Sequence, residues 1–286
     1  MQARFRPPPL TMRAEIRHVT EYRYQEPVWD SFNEVRLHPI RDERQNVLAF
    51  DISVTPDVPV SSHRDYFGNL IHHVHVHELH TLLRIEARTL VATYPSRTPA
   101  PARIDSFDEY RAELTEFLIA SPRIPTGRWA DVFEVTAPLR GDDLPTFVLE
   151  LTRMLYRRFK YTPGATDVRT PLTEFAASGR GVCQDYAHAM LGICRSLGIP
   201  ARYVSGYVYA GADFVGAEAS HAWVEVFLPG TGWMGYDPTN NTAVVEAHVK
   251  IGHGRDYGDV SPISGSYHGS TRGVLDVQVK VYDQQQ

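Results

Sequence analysis

The stretch "GRGVCQDYAHAM", from Gly179 to Met190, places a cysteine directly after a Gly-Arg-Gly loop and at the start of a predicted helix. A structural thiol is usually buried in the middle of an element. A reactive thiol is suited to a helix N-terminus, because the unpaired N–H groups and partial positive charge of the first turn stabilise the nucleophilic thiolate. The position of Cys183 therefore predicts a nucleophile.

The second cysteine, Cys194, lies three turns further along the same predicted helix. The two thiols would be about 16 Å apart along the helix axis, whereas a disulfide requires Cα atoms within about 7 Å. They cannot pair, and Cys194 is interpreted as a small buried hydrophobic residue. The first residues also lack the apolar core of a signal peptide. Together these features predict a cytoplasmic protein.

The chain divides into segments of different character. Residues 13–95 contain alternating β-branched and aromatic stretches such as "LRIEARTLVATYP", which predict a β-rich N-terminal domain. Residues 96–105 are Pro-rich and predict a linker. Residues 1–12 are interpreted as a disordered tail, and residues 106–286 as a second, catalytic domain.

The second domain begins with helical patterns and ends with strands. Ser106 and Glu109 are spaced as a capping box, and Asp143 with Pro145 is typical of a helix start. From Ala201 onward the chain consists of strand-like stretches such as "ARYVSGYVYA" and "HAWVEVFL". Helices followed by a run of antiparallel strands predict the α+β class.

Composition excludes some classes of partner. The chain has 286 residues, of which 43% are hydrophobic and 22% charged, and its net charge is −5. Because phosphate binding needs clustered Lys and Arg, a nucleic-acid partner is not expected. No stretch approaches the roughly 18 apolar residues of a membrane span, so no membrane partner is expected either. The sequence leaves the oligomeric state open.

A thiol nucleophile needs a base, and the base needs an orienting group. His188 lies about 140° around the helix from Cys183 and faces away. His221 begins one predicted strand and Asp237 ends the next, with the turn "LPGTGW" between them. With an even cross-strand register the two side chains share a face; an odd register would separate them.

The stretches "GRGVCQDYAHAMLGICRSLGIPARYVSGYV" and "SHAWVEVFLPGTGWMGYDPTNN" resemble the core of the transglutaminase-like superfamily. The resemblance is to a bacterial branch whose members are described as proposed cysteine proteases and carry a β-rich N-terminal region. It implies a papain-like, transglutaminase-like core, with a nucleophile helix packed on an antiparallel sheet. It also implies a triad of Cys183, His221 and Asp237.

The chemistry that this resemblance implies needs no cofactor and no metal. Cys183 would attack a carbonyl, His221 would hold and return the proton, and Asp237 would orient the imidazole. The Cys183 backbone N–H and one further donor would hold the oxyanion, and both Gln184 and Tyr161 are candidates for that donor. The expected partner is a peptide or protein substrate with an amide group.

Several alternatives remain at this stage. The same three residues serve a peptidase or amidase, which uses water, and a protein-glutamine transglutaminase, which uses an amine; hydrolysis is favoured. A non-catalytic binding module is a second class. A metal-dependent enzyme is a third, because His73, His75 and His77 of "HHVHVHELH" share one strand face. An exposed polar strand face is the favoured interpretation of that stretch.

The loop "GRDYGDVSPISG", residues 254–265, either lines a cleft or is a plain ordered loop.

Overall fold

The computed structural model describes residues 12–138, 143–209, 214–216 and 219–284. A long strand, β1 (Met12–Val35), organises the N-terminal half. Met12, Ala14 and Ile16 alternate with exposed residues, so one face of the strand is buried, as the alternating sequence predicts. Around β1 lie β2 (Gln45–Thr55), β3 (Val60–Arg64), β4 (Leu70–Val76) and β5 (His80–Thr93), in the order β2-β5-β1-β4-β3.

The last two strands complete this N-terminal sheet. β13 (Ile263–His268) and β14 (Gly273–Asp283) both pair antiparallel with β1, and β14 runs beside it from Tyr24 back to Ala14. The predicted second domain, residues 106–286, therefore includes two strands that bond to the N-terminal sheet. Alternating apolar residues predict a strand but not the partner to which it bonds.

The segment after β5 also differs in part from the prediction. Residues 94–102 have no regular secondary structure, whereas the predicted linker, residues 96–105, extends into a 3₁₀ helix that begins at Ile104. The predicted capping box is wrong: Ser106 donates from its hydroxyl to the Arg103 carbonyl, inside a 3₁₀ helix. Short turns follow, namely the 3₁₀ helix Ile104–Tyr110, α1 (Arg111–Leu114), the 3₁₀ helix Thr115–Phe117 and α2 (Trp129–Val132). The predicted tail begins β1 at Met12, and the rest of it lies outside the described residues.

Three longer helices lie in the second half of the chain. In α3 (Leu144–Arg158), Asp143 accepts a hydrogen bond from the Thr146 N–H, as the sequence predicts. α4 (Leu172–Ser178) follows, and α5 (Cys183–Ser196) is the central helix. Every residue from Gln184 to Arg195 is buried, so α5 is surrounded rather than amphipathic.

Helix α5 packs on a five-stranded antiparallel sheet, mainly on its middle strands. The sheet order is β11-β10-β9-β8-β12. Its strands are β8 (Ala201–Val208), β9 (His221–Leu228), β10 (Gly232–Asp237), β11 (Thr242–Ala243) and β12 (His248–Gly254). Two short parallel strands, β6 (Lys160–Tyr161) and β7 (Arg180–Gly181), lead into α5, and a 3₁₀ turn, Tyr257–Asp259, follows β12. A central helix packed on an antiparallel sheet is the core that the resemblance implies.

The two sheets share a small hydrophobic core. Ile16 and Val91 of the first sheet pack with Tyr207 and Ile251 of the second. Polar contacts cross the same boundary, because the Gln45 side chain donates to the carbonyl of Lys250 at 2.7 Å. In the part of the chain that the structure describes, no helix has both the length and the apolar character to cross a membrane.

Candidate active site

Cys183 is the first residue of α5 and is only partly buried. The helix start is fixed by Asp185, whose Oδ2 accepts hydrogen bonds from the Val182 N–H at 2.8 Å and from the Thr166 hydroxyl at 2.6 Å. Cys194, by contrast, is fully buried, and burial raises the pKa of its thiol to about 12. Of the two thiols, that of Cys183 is both accessible to solvent and located at the positive end of the helix.

Two glycines before the cysteine have a structural reason: one has a positive φ and the other lies too close to neighbouring side chains to carry a Cβ. Gly179 ends α4 with a positive φ of 69°, which favours glycine. A Cβ on Gly181 would lie 2.5 Å from Oδ2 of Asp185 and 2.7 Å from the ring of Phe175. Only a glycine lets the chain pass these side chains and enter α5.

His221 and Asp237 are brought together by the β9–β10 hairpin. Tyr236 pairs with Val224, so Asp237 falls opposite Trp223 and His221 lies two residues away on the same face. The register is therefore even. Nε2 of His221 lies 2.7 Å from Oδ2 of Asp237, and both side chains are fully buried.

The ionisation of His221 and that of Asp237 depend strongly on each other. Burial lowers the pKa of His221, but the charge and hydrogen bond of Asp237 outweigh it and, with Cys183, raise the pKa to about 10. Burial raises the pKa of Asp237, but the same interaction with His221 and a further one with His248 hold it far below its usual range. The ion-pair form, imidazolium and carboxylate, is thus the stable one.

The other ring nitrogen of His221, Nδ1, is not hydrogen-bonded to Asp237 and is the candidate contact of the Cys183 thiol. It has no hydrogen-bond partner among the described residues, while interaction with Cys183 contributes to the raised pKa of the ring. Gly216, with a φ of 89°, covers this nitrogen: a Cβ there would lie 2.9 Å from Nδ1 and 3.6 Å from the Tyr161 hydroxyl. His221, Tyr161 and Gly216 therefore surround a single small space.

Two residues that support Asp237 were not found by the sequence analysis. Nε2 of His248 lies 3.2 Å from Oδ2 of Asp237, and Nδ1 of His248 accepts the Val245 N–H at 3.3 Å. These contacts define a neutral ring with its proton on Nε2, in agreement with burial lowering the pKa of His248. A lone histidine at a strand start carries no sequence signal for this role.

Asn240 is the second of these residues. Its side-chain amide donates to Oδ2 of Asp237 at 2.7 Å, and its backbone N–H, like that of Thr239, donates to Oδ1. The same amide group pairs with the backbone of Val215, next to Gly216. Asn240 thus joins Asp237 to the loop over His221, and the "DPTNN" stretch was its available signal.

The two candidate oxyanion donors differ in placement. Tyr161 precedes α5 through the β6–β7 pair, and burial together with the Cys183 charge raises the pKa of its hydroxyl to about 12. A protonated hydroxyl next to the thiol is a hydrogen-bond donor. Gln184 is buried in the first turn of α5. Tyr203, which the sequence analysis did not name, is also close enough that the Cys183 charge contributes to raising its pKa, after the larger effect of burial.

His188, a residue of α5, contacts the loop at residues 254–265. Nε2 of His188 accepts the Tyr257 N–H at 3.2 Å, and burial lowers the pKa of the ring to about 4, so it stays neutral. Tyr257 also lines a cavity of about 110 Å³ together with Ser220, which precedes His221, and with Tyr22 and Leu275 of the first sheet. The loop is thus ordered and also borders this small cleft.

The cluster of His221, Asp237 and His248 has the donor atoms of a metal site, all within 4.8 Å of one another. Hydrogen bonds account for the arrangement instead. Both Nε2 atoms lie at donating distance from one carboxylate oxygen, and burial of an ionised carboxylate requires such donors.

Comparisons with known proteins identify the family of the chain. Residues 134–238 match the family model of the transglutaminase-like superfamily, and residues 14–92 match that of the bacterial transglutaminase-like N-terminal region. An uncharacterised protein of Mycobacterium leprae is 33% identical over 94% of this chain and 98% of its own length. A protein-glutamine gamma-glutamyltransferase of Pseudomonas aeruginosa is 36% identical over 32% of this chain and 16% of its own.

A solved structure supports the fold. It is that of a Cytophaga hutchinsonii protein proposed to be a cysteine protease, and it superimposes with a TM-score of 0.77 at 23% identity. The alignment covers 96% of this chain and 91% of that one. The whole two-sheet arrangement is therefore shared.

Proposed function

The chain belongs to the transglutaminase-like superfamily, and we propose that it is a thiol acyl-transfer enzyme that forms a thioester at Cys183 and hydrolyses a peptide or amide bond. The observation that carries the proposal is the buried 2.7 Å contact between His221 and Asp237, next to an accessible thiol at a helix start. An imidazolium held by a carboxylate beside a thiolate is the activated form of a cysteine nucleophile.

The first half-reaction uses groups already in place. The Cys183 thiolate attacks the amide carbonyl, and the carbonyl π electrons move to oxygen. The Cys183 backbone N–H would donate to that oxyanion, with the Tyr161 hydroxyl or the Gln184 side chain as the second donor, and one such donor is worth roughly 3–4 kcal/mol of barrier. The C–N bond then breaks, and His221 gives its Nδ1 proton to the leaving amine. The products are a thioester and a neutral imidazole.

The second half-reaction restores the enzyme. Neutral His221 removes a proton from water as its oxygen attacks the thioester carbonyl, and the C–S bond breaks to release a carboxylic acid and the thiolate. Asp237 keeps the Nε2 proton in place throughout, because its carboxylate accepts from Nε2–H. The identity of the second nucleophile, water or an amine, sets the name of the enzyme.

Transfer to an amine is the alternative within this chemistry. It is favoured by the similarity of 32% of this chain to the gamma-glutamyltransferase from Pseudomonas aeruginosa. The thiol, the imidazole and the carboxylate would act identically in both reactions, since only the second nucleophile differs. A non-catalytic module is a less favoured alternative, because all three reactive residue types are present and His221 is hydrogen-bonded to Asp237.

The test is trapping of the thioester. The purified protein is mixed with peptides that carry C-terminal or side-chain amides, and intact mass is measured after acid quenching. An acyl adduct on Cys183 that hydroxylamine releases supports the proposal; Cys183→Ala should form none and Cys194→Ala should behave as the wild type. Release of free acid in the absence of amine favours hydrolysis, and conversion only with an added primary amine favours transfer. A chain that forms no adduct with any amide is a binding module.

A further inference from the structure

The histidine-rich strand β4 faces an acidic residue of the neighbouring strand β1. Asp30 lies opposite His77, whose carbonyl accepts the Asp30 N–H, and His75 is two residues earlier on the same face. Oδ1 of Asp30 is 2.8 Å from Nδ1 of His77 and 3.7 Å from Nε2 of His75. The donor atoms of all three residues lie within 4.8 Å of one another.

A third imidazole approaches from the opposite side of β1. His268 belongs to β13, which pairs with β1 at Trp29, and its Nδ1 lies 3.8 Å from Oδ2 of Asp30. The Trp29 indole stacks on the His268 ring with centroids 6.0 Å apart. Because β1 lies between β4 and β13, Asp30 is flanked by histidines from two strands that are distant in sequence.

The backbone at Asp30 is unusual in the same place. Its φ of 47° is in the left-handed region, and the β1–β13 register shifts between Trp29 and Phe32. A non-glycine residue with positive φ is uncommon in a strand, and such conformations are found at functional sites. Here the irregularity turns the carboxylate of Asp30 to where the imidazoles of both neighbouring strands reach it.

We propose that Asp30, His75, His77 and His268 form a site for a divalent transition-metal ion of the zinc class. A tetrahedral zinc ion with bonds of about 2.1 Å separates its ligand atoms by about 3.4 Å. The distances from Oδ1 of Asp30 to His77 and His75, 2.8 and 3.7 Å, lie on either side of that value, and His268 lies 3.8 Å from the other carboxylate oxygen, Oδ2. Imidazole nitrogens with one carboxylate suit zinc, copper and nickel, and not calcium or magnesium, which take oxygen ligands.

The site is open to solvent and separate from the candidate active site. The exposed fractions of the four side chains run from 39% for His75 to 73% for His77, so an ion can enter without opening the fold. Its residues belong to the seven-stranded sheet, whereas His221 and Asp237 belong to the five-stranded one. The proposal is therefore independent of the proposed thiol chemistry.

Strand β4 also contains a histidine that can serve as a matched control variant. His73 also lies on this face of β4, but it stacks on His63 and is hydrogen-bonded to it at 2.7 Å. The Phe32 ring stands between the two groups, 5.7 Å from the His73 ring and 5.5 Å from the His75 ring. His73 is thus a histidine of the same strand that lies outside the proposed site.

The experiment is calorimetric titration of the untagged, chelator-treated full chain with Zn²⁺, in a Cys183→Ala background that removes the competing thiol. We expect one equivalent to bind in the micromolar range or tighter. Asp30→Asn, which tolerates the positive φ, and His75→Gln should each weaken binding about tenfold or more, while His73→Gln should change it less than about twofold. Co²⁺ bound to the wild-type site should show the visible absorption of a four-coordinate ion.

Circular dichroism and the melting temperature of the metal-free variants establish that they are folded; because these side chains are exposed, we expect no change. The proposal is overturned if no Zn²⁺ binds below about 100 μM. It is equally overturned if Asp30→Asn and His75→Gln bind as tightly as His73→Gln, because the ion would then lie elsewhere, for instance on His221 and His248.

Discussion

His248 donates a hydrogen bond from Nε2 to Oδ2 of Asp237 at 3.2 Å, on the same oxygen that His221 approaches to 2.7 Å. The backbone N–H of Val245 holds the other nitrogen of His248 at 3.3 Å, which fixes the tautomer. His248 therefore acts on the candidate nucleophile at two removes: it orients the carboxylate that orients the imidazole. It is a positioning residue, since no reacting atom contacts it.

This relationship predicts different effects for two substitutions of His248. His248→Leu leaves a buried carboxylate short of one donor, which should lower the free energy of unfolding by about 1.5–3 kcal/mol. It should also reduce kcat about tenfold with little change in KM, because the substrate does not touch this residue. His248→Gln keeps a donor near the same place and should recover most of kcat. If kcat is equal in both variants and the wild type, His248 has only a structural role.

Part of this site was predictable because its residues begin or end elements. Cys183 starts a helix after a glycine loop, and His221 and Asp237 lie at the same end of a hairpin with a clear turn signal. These are local patterns. The register of the β9–β10 hairpin could be only even or odd, and the even register puts both side chains on one face. The roles of Cys183, His221 and Asp237 in catalysis stay a prediction that the thioester experiment tests. The cytoplasmic location also stays a prediction.

The rest depended on long-range pairing that no local pattern encodes. His248 reaches Asp237 only because β12 joins the sheet at its far edge, beside β8. Likewise β14 alternates as any strand does, and it returns to β1 over more than 240 residues of chain. Asp30 and His268 are single residues in stretches without a motif, so no local pattern connects the histidine run with the carboxylate that it contacts.

Selective alkylation is expected at Cys183. Cys194 is fully buried and its pKa is raised to about 12, so very little thiolate forms there near neutral pH. Treatment of the native protein with iodoacetamide, followed by peptide mapping, should find the label on Cys183 and abolish turnover. Denaturation before labelling is the control, and it should expose both thiols equally. Preferential labelling of Cys194 in the native protein would contradict the assignment of the nucleophile.

Gly216 is predicted to be intolerant of any side chain. In Gly216→Ala the new methyl would lie 2.9 Å from Nδ1 of His221, the atom that must exchange a proton with the thiol. We expect a loss of kcat/KM of about a hundredfold or more. Gly230 is the matched control, because its φ of 78° is similar but nothing lies within 4 Å of its Cβ position. Gly230→Ala shares the backbone strain and should keep nearly full activity; equal losses in both variants would attribute the effect to strain.

The final prediction concerns Asp237→Asn, which preserves shape and removes charge. The amide can donate to Nε2 of His221 and favour the wrong tautomer, a change that costs about 10⁴ in kcat in a serine triad. A thiol enzyme should lose less, between about tenfold and a thousandfold, because a thiolate–imidazolium pair can persist without the carboxylate. His221→Ala, which removes the acid and base altogether, should be worse.

The pH dependence gives the sharper test of Asp237. The pKa of His221 is raised from 6.5 to about 10, so the imidazolium and the stability it brings are fully present below about pH 6.5 and are lost as the pH rises through about 10. Without the Asp237 charge, burial dominates and lowers that pKa. The alkaline limb of kcat/KM should therefore move to lower pH in Asp237→Asn, and unfolding free energy should fall less between pH 7 and 10 than in the wild type. An unshifted limb at wild-type rate would leave a dyad of Cys183 and His221, with Asp237 serving only the fold.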